Sequence, residues 1–432
     1  MSHYRPAAIL LLLSTSIACD RPDSAKSTAD SSTASAAQPA AEIRVTFAEG
    51  FTGTIFADSL GIARHVAIAP NGDVYVNTWR SPYDTARRMP PGGFIVALRD
   101  TNRDGRADVM RRFGQTSEEG GRGGTGIAVY KDAVYAEAGP TILRYRLTKG
   151  ELVPEGAPDT IVTGLRTKGS HPMHPFAIDS QGNLFVNSGS KSNSCQVNDR
   201  ERESPGRRPC DDLTTSAGIW RFDANGRKQP FTPGARYATG IRNADGLAVT
   251  GDGQLYVTQH GRDQLAENWP KLYDWKQSAE LPAEELIRVE RGGDYGWPYC
   301  YYDPNLKSLV LAPEYGGDGK KVGECAKKGP PAATYPAHWA PNALAIGKDG
   351  AFIAFHGSWN RAPEPQQGYN VVFQPFADGK PSGEYQVIAD GFAGARKEPG
   401  LAAHRPAGVA LAPDGALYVT DDAAGRVWRA VR

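Results

Sequence analysis

Histidine and arginine side chains recur beside predicted β-strands along this chain of 432 residues. An imidazole at the end of a strand suits acid–base chemistry near neutral pH, and a guanidinium group binds carboxylates through charge-assisted hydrogen bonds. If the strands belong to a repeated unit, their equivalent ends converge, and the converging cations imply an anionic ligand. The positions are His65, His171, Arg242, His260, His356 and Arg405.

Two of these positions have simpler alternatives. Arg64 and His65 stand at the start of a predicted strand, where the pair can form a salt bridge at a rim or contact a ligand. His171 and His174 are three residues apart, but the prolines around them exclude a helical metal-binding face. His171 therefore reads as a general base at a strand entrance, and a buried histidine with satisfied hydrogen bonds is the alternative.

A second candidate site is an acidic loop, Asp100-Thr101-Asn102-Arg103-Asp104-Gly105-Arg106-Ala107-Asp108. Oxygen ligands at alternate positions around a glycine turn are what calcium requires. Arg111 occupies the twelfth position, where an EF-hand has glutamate, so the loop is not an EF-hand. We predict a surface calcium loop with Asp100, Asn102, Asp104 and Asp108 as ligands; the alternative is a polar turn without metal.

The elements that position these residues are six predicted hairpins with the same pattern, a short apolar strand, a tight turn and a second strand. A single hairpin cannot bury both of its faces, so the repeat predicts an all-β fold, a six-bladed β-propeller with its site at one mouth of the channel. A β-sandwich with chance similarity among its turns is the alternative. The turns are Asn71-Gly72, Lys131-Asp132, Gln181-Gly182, Asp252-Gly253, Asp349-Gly350 and Asp414-Gly415.

The N-terminus has the pattern of an export signal. Arg5 precedes the apolar run Ala7 to Leu13, and Ser16-Ile17-Ala18-Cys19 resembles a bacterial lipobox, which makes residues 1–19 a lipoprotein signal peptide with Cys19 as the lipidated residue. An ordinary secretory signal is the alternative. Residues 20–41 are rich in Ser, Thr and Ala and read as a disordered tether, which leaves 42–432 as the propeller domain. The predicted location is the bacterial cell envelope, facing the periplasm, with membrane contact only through the lipid anchor.

The remaining cysteines and the charge balance restrict the class of protein. Four cysteines in an exported chain predict two disulfides; three pairings are possible, and we favour Cys195–Cys210 and Cys300–Cys325, each closing a loop insertion. No Cys-x-x-Cys-His motif is present, so covalent c-type haem is not expected. Lys and Arg number 49 against 48 acidic residues, without a long basic tract, so we expect no nucleic-acid partner.

Several motifs together resemble the soluble PQQ (pyrroloquinoline quinone)-dependent sugar dehydrogenases, the glucose/sorbosone dehydrogenase family. They are GIRNADGLAV, LYVTQHG, RGGDYGWP, FHGSWNR and RPAGVALAPDGALYVTDD, and the likeness covers roughly residues 45 to 432. FHGSWNR is similar to the sorbosone and pyranose dehydrogenase branch. The resemblance implies a six-bladed propeller with a non-covalent PQQ at the channel mouth and a calcium ion between cofactor and protein.

The resemblance also implies roles for individual residues. His171 falls at the catalytic histidine, Arg242 and Asn243 at the pair that grips the cofactor, and Gly261 and Arg262 at the backbone carbonyls that bind the cofactor's calcium. Ser170 stands where the glucose-specific branch carries an acid, and Asp245 replaces an amide. Arg405 falls near the arginine that contacts PQQ from the last blade, and His260 is also predicted to bind the cofactor. Further cofactor contacts by branch similarity are Arg64, His356, Trp359 and Arg361.

The function implied is oxidation of an aldose or aldosone at its anomeric carbon, with His171 as the base and Arg242 as a second catalytic residue that stabilises the reduced cofactor. Electrons would pass to an external acceptor, a quinone or a cytochrome. Two alternatives remain. One is a calcium-dependent lactonase of the gluconolactonase type, whose site needs acidic and amide ligands in the channel. The other is a non-catalytic propeller that binds a glycan or a partner protein.

Overall fold

The computed structural model describes residues 45–79, 90–114, 123–398 and 400–432. The predicted signal peptide with Cys19 and the predicted tether lie outside the described residues. Within these ranges, every helix is too short or too polar to cross a lipid bilayer.

The architecture is a ring of six antiparallel blades, as the repeated hairpins predicted. Each predicted turn joins the innermost strand of a blade to the next strand, because glycine or a polar residue at the turn permits the tight reversal. The first three blades consist of β3 (Ala63–Ile68), β4 (Val74–Thr78), β5 (Ile95–Arg99) and β6 (Val109–Phe113); of β7 (Ile127–Tyr130), β8 (Ala133–Ala138), β9 (Thr141–Arg146) and β10 (Asp159–Thr163), with β14 (Gln229–Pro230) added; and of β11 (Phe176–Ile178), β12 (Asn183–Ser188), β13 (Gly218–Asp223) and β15 (Arg236–Thr239).

The last three blades close the ring with strands from both ends of the described chain. Blade 6 takes its outer strand from the N-terminal side, so β2 pairs with β29, and β1 extends blade 5. These blades are β16 (Leu247–Val249), β17 (Leu255–Gln259), β18 (Glu284–Val289) and β21 (Ala333–Tyr335); β22 (Pro341–Ile346), β23 (Gly350–Phe355), β24 (Asn370–Ala377) and β26 (Gln386–Asp390), with β1 (Thr46–Phe47) and β25 (Lys380–Pro381); and β27 (Pro406–Leu411), β28 (Leu417–Asp421), β29 (Arg426–Val431) and β2 (Thr52–Ala57).

The core lies between neighbouring blades. Each of six apolar clusters combines side chains of two adjacent blades, and the cluster with Phe56, Val66, Tyr418 and Val427 joins blade 6 to blade 1. The inner strands contact one another around the full circle. The hydrophobic effect therefore holds the ring closed, and the loops at each mouth are fixed relative to one another.

The long interval after the fourth hairpin contains regular secondary structure. It holds the helices α2 (Leu265–Asn268) and α3 (Trp275–Glu280), the hairpin of β19 (Cys300–Asp303) and β20 (Ser308–Leu311), and short 3-10 turns at Pro313–Tyr315 and Gly323–Lys327. Blade 3 carries a shorter insertion with α1 (Asp212–Thr215), and the 3-10 turn Pro233–Ala235 leads into β15. Both favoured disulfides are confirmed: Cys195–Cys210 closes the blade 3 insertion and Cys300–Cys325 closes the blade 4 insertion.

The glycines of the 120–126 segment serve packing between blades 1 and 2 where the structure describes them. A Cβ added to Gly123 would lie 2.0 Å from the carbonyl oxygen of Thr78, and one added to Gly124 would lie 2.3 Å from Glu137 Cγ. The Glu137 carboxylate accepts hydrogen bonds from the backbone N–H groups of Thr125 and Gly126. The described glycines therefore allow close packing of backbone and side chains between the two blades.

The acidic loop Asp100 to Asp108 lies at the end of blade 1 that carries the Asn71-Gly72 turn. Val74, next to that turn, pairs with Leu98, just before the loop. Asp100 Oδ2 accepts a hydrogen bond from Gly105 N at 2.8 Å, and Asp108 Oδ2 accepts one from Thr101 Oγ1 at 2.6 Å. No group of three or more His, Cys, Asp or Glu side chains arranged to hold a metal occurs in the described ranges, and the surface calcium loop stays a prediction.

Candidate active site

A cavity of about 560 Å³ lies at one mouth of the propeller, at the ends of the blades opposite the Asp-Gly turns. Its walls are the loops that enter the inner strands and the loops that leave the second strands. The loop between β21 and β22 contributes to one side through His338 and Ala340. Predicted site residues that line it are Arg64, His171, Arg242, Asn243, His260, Gly261, His356, Trp359 and Arg405.

His171 has the protonation pattern of a base. Its Nδ1 lies 2.9 Å from the carbonyl oxygen of Ser190, which can only accept, so Nδ1 carries the hydrogen and Nε2 carries the lone pair. No hydrogen bond to Nε2 is found among the described residues. Burial, together with the positive charge of Arg242, holds the pKa of His171 well below its ordinary value. The imidazole is therefore neutral at physiological pH and can accept a proton at Nε2.

A glycine allows His171 to come this close to the inner wall. Gly189 follows β12, and a Cβ added there would lie 2.5 Å from both His171 Cβ and Asn243 Oδ1. Asn243 Oδ1 also accepts a hydrogen bond from Asn187 Nδ2 at 3.2 Å. The amide of Asn243 is therefore held beside the histidine by the strand of the neighbouring blade.

Arg242 is held by a buried carboxylate. Asp263 Oδ2 accepts hydrogen bonds from Arg242 Nη2 and from Arg200 Nη2, each at 2.9 Å, and Asp263 Oδ1 accepts one from Asn360. Burial alone would raise the pKa of Asp263, but Arg242 and Arg200 outweigh it and keep the pKa below the usual range. We call Asp263, Arg200 and Arg242 the Asp263 cluster; its carboxylate is ionised at neutral pH.

A second carboxylate holds the cations on the other side of the cavity. Asp422 accepts hydrogen bonds from Arg64 Nη1 at 2.8 Å, from Arg405 Nε at 3.1 Å and from His356 Nε2 at 3.0 Å. Burial lowers the pKa of His356 to about 4, so this histidine donates as a neutral ring with its hydrogen on Nε2. Burial would raise the pKa of Asp422, but His356, Arg405 and Arg64 together keep it well below its ordinary value. These four residues are the Asp422 cluster.

The expectation of a cavity lined by converging cations is therefore incomplete. Each cluster combines two arginines with one carboxylate and keeps a net positive charge of one. The arginines are not free charges but are fixed in place, because a buried cation requires a paired anion. The Nε of Arg64 has no acceptor among the described residues although Arg64 is only 5% exposed. A buried guanidinium donor without a partner fits a ligand that carries an acceptor, such as an anion.

The loop with the predicted calcium carbonyls is fixed by side chains. The Gly261 carbonyl accepts a hydrogen bond from Arg242 Nη1 at 2.7 Å, and Glu284 Oε2 accepts one from Gly261 N at 2.9 Å. A carbonyl oxygen has two lone pairs, so this contact leaves one for a cation. His260 Nε2 lies 3.2 Å from the Pro341 carbonyl oxygen and 3.6 Å from Asp245 Oδ2. His260 and Asp245 both line the cavity near Gly261.

Two tryptophans mark the rim. Trp359 lines the cavity and is 55% exposed, which is unusual for so large an apolar side chain. Trp79 also lines the cavity, and its ring lies 5.9 Å from the Arg64 guanidinium carbon. An exposed aromatic face at a cavity rim is suited to contact with a flat ligand or with the apolar face of a ring.

The side chains of two predicted site residues, Arg262 and Arg361, form their contacts outside the cavity. The Arg262 guanidinium forms a buried ion pair with Glu314 at 2.6 Å, so only its backbone carbonyl is left for a ligand role. The Arg361 guanidinium is buried and donates to the carbonyl oxygens of Ala279, Ala337 and Pro365. Neither residue lines the cavity. Their side chains tie the insertion and the 356–361 loop to the wall.

The sequence reasoning missed Asp263, Asp422 and Arg200, which complete the two clusters. Asp263 directly follows Arg262, which was predicted as a calcium ligand, and Asp422 ends the last quoted motif, but neither aspartate was assigned a role. Both aspartates could have been inferred, because an arginine predicted to be buried requires a carboxylate nearby. No sequence signal indicated Arg200, because it lies in the insertion closed by Cys195 and Cys210, which has no counterpart in the other blades.

Comparison with solved structures places the fold among sugar-oxidising propellers. The holo form of the pyranose dehydrogenase PQQ domain of Coprinopsis cinerea is 19% identical, with a TM-score of 0.71 over 91% of this chain and 98% of that one. A calcium structure of an AA12 enzyme from Trichoderma reesei is 17% identical, with a TM-score of 0.71 over 91% and 98%. The PQQ-bound aldose sugar dehydrogenase of Streptomyces coelicolor is 19% identical, with a TM-score of 0.53 over 89% and 99%. At these identities the likeness establishes the fold.

No curated protein matched the sequence. The family resemblance predicted from the motifs is confirmed by the family-model match together with the fold shared with the solved structures named above. The family model described as TrAA12-like matches residues 45–431, and the chain therefore belongs to the TrAA12-like family.

Proposed function

We propose that this protein is a PQQ- and calcium-dependent dehydrogenase that oxidises an aldose or aldosone at the anomeric carbon. The observation that carries the proposal is His171, a neutral imidazole with its hydrogen on Nδ1, in a cavity that also holds the two net-positive arginine clusters. Membership of the TrAA12-like family and the PQQ-bound state of two structural neighbours support the same cofactor.

The residues of the cavity fit an anionic quinone. The Asp263 and Asp422 clusters would hold its carboxylates from two sides through Arg242, Arg64 and Arg405, and the carbonyls of Gly261 and Arg262 would hold calcium beside it. When bound, PQQ supplies a hydride acceptor, and calcium supplies a Lewis acid.

The chain's own contribution to the chemistry is proton abstraction. His171 takes the proton of the anomeric hydroxyl at Nε2 while the carbon-bound hydrogen leaves as hydride, which converts an aldose into its lactone. Burial and the positive charge of Arg242 destabilise the imidazolium that forms, so it loses its proton readily and the base is regenerated. The low pKa of His171 thus matches a base that works repeatedly near neutral pH.

The setting we propose is the bacterial cell envelope. The two disulfides agree with an oxidising compartment, and Cys19 would anchor the exported chain to a membrane. Electrons would pass from the reduced cofactor to an external quinone or cytochrome.

The test is a titration of protein lacking residues 1–41 with PQQ and calcium, followed by dye reduction with a panel of aldoses. Saturable PQQ binding and sugar-dependent dye reduction are expected. Absence of PQQ binding in the presence of calcium would refute the proposal.

The role of His171 is tested by replacement. His171→Ala should lower kcat by about two to four orders of magnitude and leave PQQ binding intact. His260→Gln is the matched comparison, because His260 is the neighbouring cavity histidine. A larger loss of kcat in His260→Gln than in His171→Ala would assign the base to His260.

A further inference from the structure

The carbonyl oxygen that orients His171 belongs to a short segment after β12, residues 189–192. We propose that Asp212 is a positioning residue for the base: its carboxylate fixes this segment and so determines which nitrogen of His171 carries the hydrogen. The inference rests on the proposed function for its meaning in catalysis, but its structural part concerns the protein without cofactor.

Asp212 fixes the two residues that follow Ser190. Its Oδ2 accepts hydrogen bonds from Lys191 N at 3.0 Å and from Ser192 Oγ at 2.7 Å. Asp212 is the first residue of α1 and is only 5% exposed, so these bonds do not compete with bulk water. The segment therefore cannot shift without breaking buried hydrogen bonds to a carboxylate.

The same segment is tied to the Cys195–Cys210 insertion and to itself. Ser192 Oγ accepts a hydrogen bond from Cys195 N at 3.2 Å, and Ser190 Oγ donates to the Ser192 carbonyl at 2.6 Å. With its hydrogen so used, Ser190 Oγ presents a lone pair to His171 Nδ1 at 3.2 Å. Both Ser190 oxygens therefore act as acceptors for Nδ1.

Arg166 holds the other side of the contact. Its Nη2 donates to the carbonyl oxygens of His171 at 2.7 Å and Gly189 at 2.8 Å. Burial lowers the pKa of Arg166, and the negative charge of Asp212 opposes that shift. Asp212 and Arg166 thus fix the backbone of residues 189–192 and the backbone of His171, the two segments joined by the Nδ1 hydrogen bond.

The consequence concerns the tautomer of His171. With Ser190 in place, hydrogen on Nδ1 is favoured and Nε2 is an acceptor; without it, hydrogen on Nε2 becomes competitive and the ring loses its acceptor. Ser170, the residue before the histidine, has no carboxylate that could orient the ring. The Ser190 carbonyl, held in place by Asp212, orients it instead. Asp212 does not line the cavity, so it acts through His171 alone.

The experiment is ¹⁵N NMR of the histidine side chains in cofactor-free protein, with the His171 signals assigned by their loss in His171→Gln. The wild type should show hydrogen on Nδ1 and a pKa well below 6.5. Asp212→Ala should give a mixture of tautomers, because the segment becomes mobile and the Ser190 oxygens no longer hold the hydrogen on Nδ1. Asp212→Asn should restore the Nδ1 tautomer, since both bonds go to one oxygen and an amide oxygen can replace it. Asp211→Ala, at the exposed neighbouring carboxylate, is the control and should match the wild type.

A holoenzyme measurement provides the functional arm. Asp212→Ala should lower kcat by about 10- to 100-fold, the usual effect of losing an orienting partner of a functional histidine, with KM little changed. Asp212→Asn should recover most of kcat.

The outcomes separate the inference from the proposed function. An unchanged tautomer in Asp212→Ala would overturn the positioning role whatever the activity. Changed NMR signals in a protein that oxidises no sugar would support the positioning role and refute the proposed function. If Asp212→Ala does not fold, Ser192→Ala removes one of the two bonds to Asp212 and should show the same tautomer shift in smaller measure.

Discussion

Asp263→Asn is the substitution that most directly tests whether the cavity arginines are held in place by carboxylates. The substitution removes the negative charge shared by the two guanidinium groups. The NH2 group of the new amide would also face an N–H donor, either of the arginines or of Asn360. Arg242 is 3% exposed, and leaving one partner of a buried ion pair uncompensated costs about 3–5 kcal/mol. The Arg200 side chain is 30% exposed, so its share is at most about 1 kcal/mol. The expected loss in the free energy of unfolding is therefore about 3–5 kcal/mol, dominated by Arg242.

The assay is urea unfolding of the cofactor-free protein, in which the midpoint should fall with an unchanged slope. Arg200→Gln is the matched control, because it removes only the exposed half of the cluster and should cost about 1 kcal/mol or less. Asp159→Asn removes a carboxylate that pairs with Arg144 away from the cavity, and it should lower stability without altering PQQ affinity. A loss in Asp263→Asn no larger than that in Arg200→Gln would refute the reasoning, since Arg242 would then not depend on the carboxylate.

Three further predictions concern the disulfide, the acid response and the acidic loop. Replacing Cys195 and Cys210 with serine should lower the free energy of unfolding by about 3 kcal/mol in urea without reductant, the value for a loop of about 15 residues, and an unchanged midpoint would contradict this. Burial lowers the pKa of His65 to about 4, so the unfolded chain binds the proton more readily, and stability should fall from about pH 6.5 to pH 4 by up to about 3 kcal/mol. His65→Gln should make that decline in urea midpoints shallower without abolishing it, because the pKa values of His171 and His356 are also lowered, and a slope as steep as in the wild type would show that His65 does not contribute. Calcium should raise the Tm of the wild type more than that of Asp104→Asn, since binding at the Gly261 and Arg262 carbonyls would be common to both, and an equal rise in both would exclude the loop as a site.

The sequence was sufficient for the ring because its signals are local. Each Asp-Gly or equivalent turn specifies a tight reversal between two short apolar strands, and repetition of that unit leaves few ways to bury both faces. The same logic brought His171, Arg242, His356 and Arg405 to one mouth, because equivalent strand ends of a ring must converge. The disulfide pairing followed from the closure of loops within single insertions.

Side-chain direction within loops was not predictable in this way. Arg262 and Arg361 stand in motifs that border the cavity, yet the first turns to Glu314 and the second to backbone carbonyls of the wall. A loop has no fixed periodicity, so neighbours in sequence point in different directions. The partner of a buried arginine can also lie anywhere in the chain, as Arg64 and Asp422 illustrate.

The Asp422 cluster couples the candidate site to closure of the ring. Arg64 belongs to β3 of the first blade, and Asp422 directly follows β28 of the last blade. These blades meet only where the chain closes on itself, and β2 from the N-terminal side completes the last blade by pairing with β29. The ion pair between Arg64 and Asp422 therefore forms only when the ring is complete. Because the arginines are fixed by folding, an anionic ligand meets an arranged site, and little of its binding energy goes into ordering side chains. Loosening the pairing of β2 with β29 should consequently weaken cofactor binding, although neither strand lines the cavity.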